Sequence, residues 1–279
     1  MSSVLFDNPS PRTRARHRLY SIITAVVLLA LLGLVLWQFG RKGQLSYALW
    51  EPFVTPAYIR ALLLGMLKTL EMAFSAIILA VIFGMVFGLG KLSDHGWVRR
   101  PCWVIVEFFR AVPVLLMMIF IFFAYGAGEG GIGSYWSVVI ALTLYNGSVL
   151  AEVFRAGVLA VPKGQSEAAY GLGMRKSQVM TSVLLPQAVK IMLPAIISQC
   201  VVALKDTSLG FYIVAPGLTA VAKEIYGEFH NQVPTALVMA ALYIVTNLAL
   251  SWVATWVQRK FVGERTVLVT DATDTGTGA

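Results

Sequence analysis

Apolar residues fall in six runs, each long enough to cross a bilayer, which takes about 20 residues per helix. The runs cover roughly residues 19–38, 61–89, 102–125, 135–157, 191–214 and 234–257. They lack the strict in–out alternation over about ten residues that marks a membrane β-barrel. The pattern predicts an all-α polytopic membrane protein of about six transmembrane helices. Pro113 and Pro194 are expected to kink the third and fifth spans. Three polar stretches interrupt the pattern: an arginine-rich N-terminal arm (1–18), the long loop 158–190, and a tail (259–279) of small polar residues expected to be disordered.

Composition agrees. Of 279 residues, 58% are hydrophobic and 13% charged, against about 25% charged in soluble domains. The net charge of +8 would suggest nucleic acid in a soluble protein, but here the charges sit at span ends. Fourteen of the 22 Lys and Arg lie in the arm, 90–101, 158–190 and the tail; four lie in 39–60, 126–134 and 215–233; four lie within spans. Positive charge favours the cytoplasmic side, so both termini and the 158–190 loop are expected in the cytoplasm. The run Leu19–Trp37 is too long for a signal-peptide core and reads as a retained span. Cys102 and Cys200 match no metal spacing, and His17, His95 and His230 are isolated, so no metal is expected.

The loop segment "EAAYGLGMRKSQVMTSVLLPQA" (167–188) has its own shape. Ser166 is a candidate N-cap with Glu167 in the first turn. Gly173 suits the left-handed residue that closes a helix. Ser177 can cap a second helix ending near Leu185, before Pro186. Val179, Met180, Val183 and Leu184 form an apolar stripe that needs a partner. The physics leaves two readings: a hairpin lying on headgroups, or a docking element packed in a partner's groove.

Glu167-Ala168-Ala169, Gly173, Val183 and Leu185-Pro186 stand at the spacing of the EAA motif, and the segment resembles the coupling region of ABC-importer membrane subunits. Val183 departs from the family's usual Ile. "VEFFRAVPVLLM" (106–117) resembles the family's E-x-F-R-G-T-P-x-L stretch, with Ala111 and Val112 departing. "LTLYNGSVLAEVFRAGVLAVPKGQSEAA" (142–169) and "ALKDTSLGF" (203–211) resemble the polar-amino-acid permease branch, most of all glutamate permease subunits of the actinobacterial type. The resemblance spans about 60–258. It implies a type I importer permease in the bacterial cell membrane, working by alternating access. It also implies a dimer of ATP-binding subunits carrying the ATP and Mg, a second, dissimilar permease subunit, an extracellular substrate-binding protein, and a polar amino acid as cargo. No cofactor is expected on this chain.

Charges inside spans are costly, about 2.5–3.5 kcal/mol each on insertion scales. Lys68 with Glu71, Glu107 with Arg110, and Glu152 with Arg155 share the i, i+3 spacing that lets them neutralise each other on one helix face. The last two pairs lie near the cytoplasmic ends, where they can permit insertion or brace an inner gate; Glu71 lies deeper and can pack or line the path. Lys205-Asp206-Thr207-Ser208 are consecutive and point in nearly every direction, which requires a position inside the bundle, with local unwinding beside a water-filled cavity. They contact substrate or form an internal network. Asn146, Gly147 and Ser148 form a second polar notch, for substrate contact or for close helix approach.

Three function classes follow. An importer permease must borrow its energy, since the chain has no G-x-x-x-x-G-K-[ST] phosphate loop. An ion- or proton-coupled secondary transporter could use Glu71 and Asp206 as a relay, but six spans without a repeat is small for that class and leaves the 163–190 segment without a role. A membrane enzyme lacks any paired catalytic motif.

Overall fold

The computed structural model describes residues 11–262, which are mostly helical with no strand among them. Helix α1 (Pro11–Arg41) is followed by a short turn region and α2 (Pro56–Gly90), then α3 (Gly96–Ala111) and α4 (Val114–Ile121). After these come α5 (Gly133–Leu159), α6 (Lys163–Gly171), α7 (Leu185–Asp206), α8 (Leu218–Phe229) and α9 (Gln232–Val262). Five helices are long and apolar enough to cross a membrane, and the count reaches the expected six when the bent pair α3–α4 is taken as one span.

Two boundaries differ from expectation. Arg12 to Arg18 of the expected arm belong to α1, and residues 259–262 of the expected tail continue α9; 1–10 and 263–279 lie outside the described residues. Most of the expected 215–233 loop is helix α8, whose Leu218 and Ile225 are buried in a cluster with Leu62 of α2.

The third span breaks at Pro113. Val112 takes the extended conformation imposed on a residue before proline (φ −79°, ψ 127°), and α3 and α4 meet at 98°. Pro194, by contrast, sits within a continuous α7.

The core is built around α5, packed against α2, α3, α4 and α7. Its closest contact is with α2, where Gly84 and Gly88 form the small-xxx-small spacing that lets membrane helices approach. A Cβ at Gly84 would stand 2.7 Å from Leu150 Cβ; one at Gly88 would stand 2.6 Å from the carbonyl oxygen of Ala151. Gly147 receives the Phe83 ring in the same way, so the helices approach closely at the Asn146–Ser148 notch. A backbone carbonyl cannot yield without parting the helices. Gly88→Val is therefore expected to lose about 1–3 kcal/mol, read as an earlier thermal unfolding in detergent; an unchanged transition would show that the α2–α5 contact is slack.

α1 differs from the rest. Its apolar side chains from Leu19 to Trp37 are almost all exposed on the single chain, so lipid or another subunit must cover them.

Candidate functional site: a coupling segment, a charge node and a polar cavity

The segment after α5 does not form the expected two-helix hairpin. Helix α6 begins at Lys163, with Pro162 before it, so Ser166 is not the cap; its hydroxyl donates to the Lys163 carbonyl at 2.8 Å. Glu167 is the fifth residue of α6, beyond the first turn. Gly173 is left-handed (φ 77°) and closes α6 as expected: its N–H donates to the Tyr170 carbonyl (2.9 Å) and that of Met174 to the Ala169 carbonyl (3.2 Å), the pair of bonds of a Schellman motif.

The second piece is not a separate helix ending at Leu185. It starts at Lys176, where Gln178 Oε1 accepts the Arg175 N–H at 2.9 Å, and runs without interruption to Ile213. Residues Val179–Leu184 form a π-helical stretch. Its wider turn ends just before Pro186, whose missing N–H would otherwise break the ladder. The apolar stripe also has a different partner than expected. Val179 is fully buried, and Met180 and Leu184 pack on a cluster containing Leu150, Phe154 and Val158 of α5. The surface left for another protein is on α6: Glu167 and Ala168 are exposed, Leu172 is 84% exposed, and Ala169 is turned inward. Val183 and Leu185 are half-buried and Pro186 exposed.

At the same end of the bundle, the two expected ion pairs are joined. Arg110 donates to Glu107 at 3.2 Å and Arg155 Nε to Glu152 at 3.0 Å. Lys91, at the end of α2, bonds both carboxylates: Glu107 at 3.2 Å, and Glu152. Its side chain is 5% exposed. Counting it as a loop charge missed this role; the signal was a lone lysine directly after the apolar run of α2, close enough to both acids once α2, α3 and α5 pack. Three residues further on, Asp94 pairs with Lys176 at the start of the fifth span. That ammonium holds the Asp94 carboxyl below the usual carboxylate range, burial opposing slightly. The link joins the node to the segment that follows α6.

The polar stretch at the end of α7 does not unwind: Lys205 and Asp206 are still α-helical, and Thr207–Ile213 tightens into a 3-10 helix. Its residues separate. Thr207 is buried, donating to the Leu204 carbonyl at 2.6 Å. Asn146 is buried too, its Oδ1 accepting from Gln199 at 2.6 Å, which ties α5 to α7. Ser148 is buried with no partner for its hydroxyl. Lys205 and Ser208 instead line a cavity of about 500 Å³ between α7 and α9, with Tyr243, Asn247 and Ser251. Asn247 Oδ1 is buried and unpartnered. Lys68 and Glu71 pair at 2.7 Å on the outer face of α2, more than half exposed, away from that cavity.

The family of the binding-protein-dependent transport system inner membrane component matches residues 76–263, well over half of the chain. The chain belongs to this family. It is a multi-pass membrane permease subunit of an ATP-driven importer, with ATP hydrolysed by a separate subunit. The match takes in the 163–190 segment, the charge node and the polar cavity; Lys68, Glu71 and α1 lie before it. Among its relatives is the glutamate transport system permease protein GluD of Corynebacterium glutamicum, 40% identical over 223 residues, covering 78% of this chain and 82% of that one. The probable glutamine ABC transporter permease protein GlnP of Bacillus subtilis is 34% identical over 193 residues, covering 68% and 88%. A solved amino acid ABC transporter with histidines matches with a TM-score of 0.67 and 29% identity, over 73% of this chain and 95% of that one.

Proposed function

We propose that the permease carries a polar amino acid of the glutamate class, bound in passing by the Lys205–Asn247 cavity, and that α6 couples it to the ATPase. One observation carries the substrate reading. Lys205 has no carboxylate within salt-bridge distance among the described residues, and the same cavity holds the buried, unpartnered Asn247 Oδ1. An amino acid offers a carboxylate to the first and an ammonium to the second; the hydroxyl of Ser208 adds a neutral contact. The glutamate and glutamine permeases among the relatives favour that class. The proposed path therefore uses Lys205 and Ser208; Asp206, half-buried, does not line the cavity, Asn146, Ser148 and Thr207 act from within the packing, and Glu71 faces another surface.

The assembly comprises this chain, a second and dissimilar permease subunit, two ATP-binding subunits and a substrate-binding protein outside the cell. The excess of Lys and Arg at the α6 end favours a cytoplasmic position for that end and for both termini. Closure of the ATPase pair moves α6, and the spans alternate access around the cavity. In proteoliposomes, uptake of labelled glutamate should require ATP and stop with vanadate. Losing the charge-assisted contact in Lys205→Met, about 1.5–3 kcal/mol, should weaken glutamate uptake about 10- to 100-fold. Wild-type uptake by that variant would overturn the cavity assignment; vanadate-resistant uptake would overturn the ATP-driven reading.

A further inference from the structure

The charge node opens on a second cavity, of about 630 Å³, between α3 and the ends of α2 and α5. Its cations are Lys91, Arg99, Arg100 and Arg155; its acids are Glu107 and Glu152. Both acids are already engaged by Lys91, and each has its own arginine besides. Arg99 and Arg100 are exposed, and neither has a carboxylate within salt-bridge distance among the described residues. Asp94 stands near Arg99, but its bonded partner is Lys176. The lining therefore carries two positive charges that no described carboxylate pairs with.

The remaining wall is apolar: Trp103 and Val104, both more than half exposed. Beyond them the exposed Phe108 continues the apolar strip along α3. Trp97 and Trp103 mark a membrane–water boundary, where indole rings concentrate. α3 thus presents two arginines at its polar end and a greasy strip leading from them into the span. Basic pockets between helices at that depth accept lipid headgroups.

We propose that this cavity binds the phosphate of an anionic phospholipid, with Arg99 and Arg100 on the phosphate and one acyl chain along Trp103, Val104 and Phe108. Free phosphate would satisfy the arginines but leave that strip uncovered, so the lipid is the occupant argued for. The site adjoins the node that joins α2, α3 and α5, so an occupied site would brace the end that carries α6. Only the choice of leaflet rests on the cytoplasmic orientation proposed above.

The test is native mass spectrometry of the permease–ATPase complex offered phosphatidylglycerol and phosphatidylcholine in equal amounts, a readout independent of transport. The wild type should retain phosphatidylglycerol preferentially. Each arginine near the surface is worth about 1 kcal/mol, or about fivefold, so Arg99→Gln and Arg100→Gln should each lower the preference about fivefold. The pair together should lower it about 25-fold, and the Arg99→Lys/Arg100→Lys pair should largely keep it. The single variants serve if the double one fails to assemble. An unchanged preference in the glutamine variants overturns the proposal. So does displacement of the lipid by millimolar inorganic phosphate, which would assign the arginines to a free anion.

Discussion

Charge reversal at Glu167 is expected to abolish ATP-driven uptake while leaving the permease folded. Glu167 is exposed on α6 and makes no hydrogen bond or ion pair with another described residue. Exposed substitutions away from structural contacts usually change stability by less than about 0.5 kcal/mol. Lysine also suits a helix as well as glutamate does, and position five of α6 is beyond the reach of the helix-end dipole. Whatever Glu167→Lys does must then come from a partner. A misplaced like charge in an interface costs several kcal/mol; about 3 kcal/mol corresponds to a loss of roughly a hundredfold in affinity. Two measurements separate the causes: the amount of ATPase retained on the purified permease, and vanadate-sensitive uptake after reconstitution. A companion variant, Leu172→Ala, removes the exposed leucine at the end of α6 and should weaken retention without any change of charge. Full retention and normal uptake by Glu167→Lys would remove α6 from the coupling interface.

What could be seen in the sequence was what depends on a single segment. Span count follows from apolar length, and the Gly173 turn from one residue's freedom to take positive φ. The break at Pro113 also followed from local chemistry, though its size did not: a kink was expected, and the extended Val112–Pro113 pair produced a near right angle. Other features depended on packing that no single segment reveals. The stripe Val179–Leu184 is a plausible docking face in isolation; it is covered only because α5 passes beside it. Pro186 looked like a stop, and the π-helical stretch before it lets the helix continue. Glu107–Arg110 and Glu152–Arg155 could each be found by their i, i+3 spacing. Lys91 could not, since its partners lie 16 and 61 residues away. The polar run Lys205–Ser208 was expected to unwind and instead passes from α to the tighter 3-10 form, and which of its members face a cavity depends on α9.

Replacing Lys91 is expected to give the largest loss of stability of any substitution considered for this chain. Its ammonium is almost wholly buried and serves two carboxylates from two different helices. Breaking a buried pair by removing one partner costs about 3–5 kcal/mol, because the charge left behind is uncompensated. Here Arg110 and Arg155 stay beside the two acids, so Lys91→Met should fall at the lower end, about 3 kcal/mol. For a chain of this size that is a fall of about 6–12 °C in the unfolding midpoint. The origin of the loss can be isolated. If it is the orphaned charge, adding Glu152→Gln to Lys91→Met should recover part of it, although Glu152→Gln alone is destabilising. If it is lost packing of the lysine stem, the second substitution should only make matters worse. Lys91→Arg keeps the charge and should stay near the wild type in stability. The same node separates folding from coupling: Lys91 is three residues from Asp94, which pairs with Lys176 at the head of the fifth span. A movement of α6 and that span relative to α5 must therefore either carry the node with it or strain it. Lys91→Arg, with a longer and planar head held between the same two acids, should thus slow uptake more than it lowers the unfolding temperature. Equal losses in both would make the node a static brace.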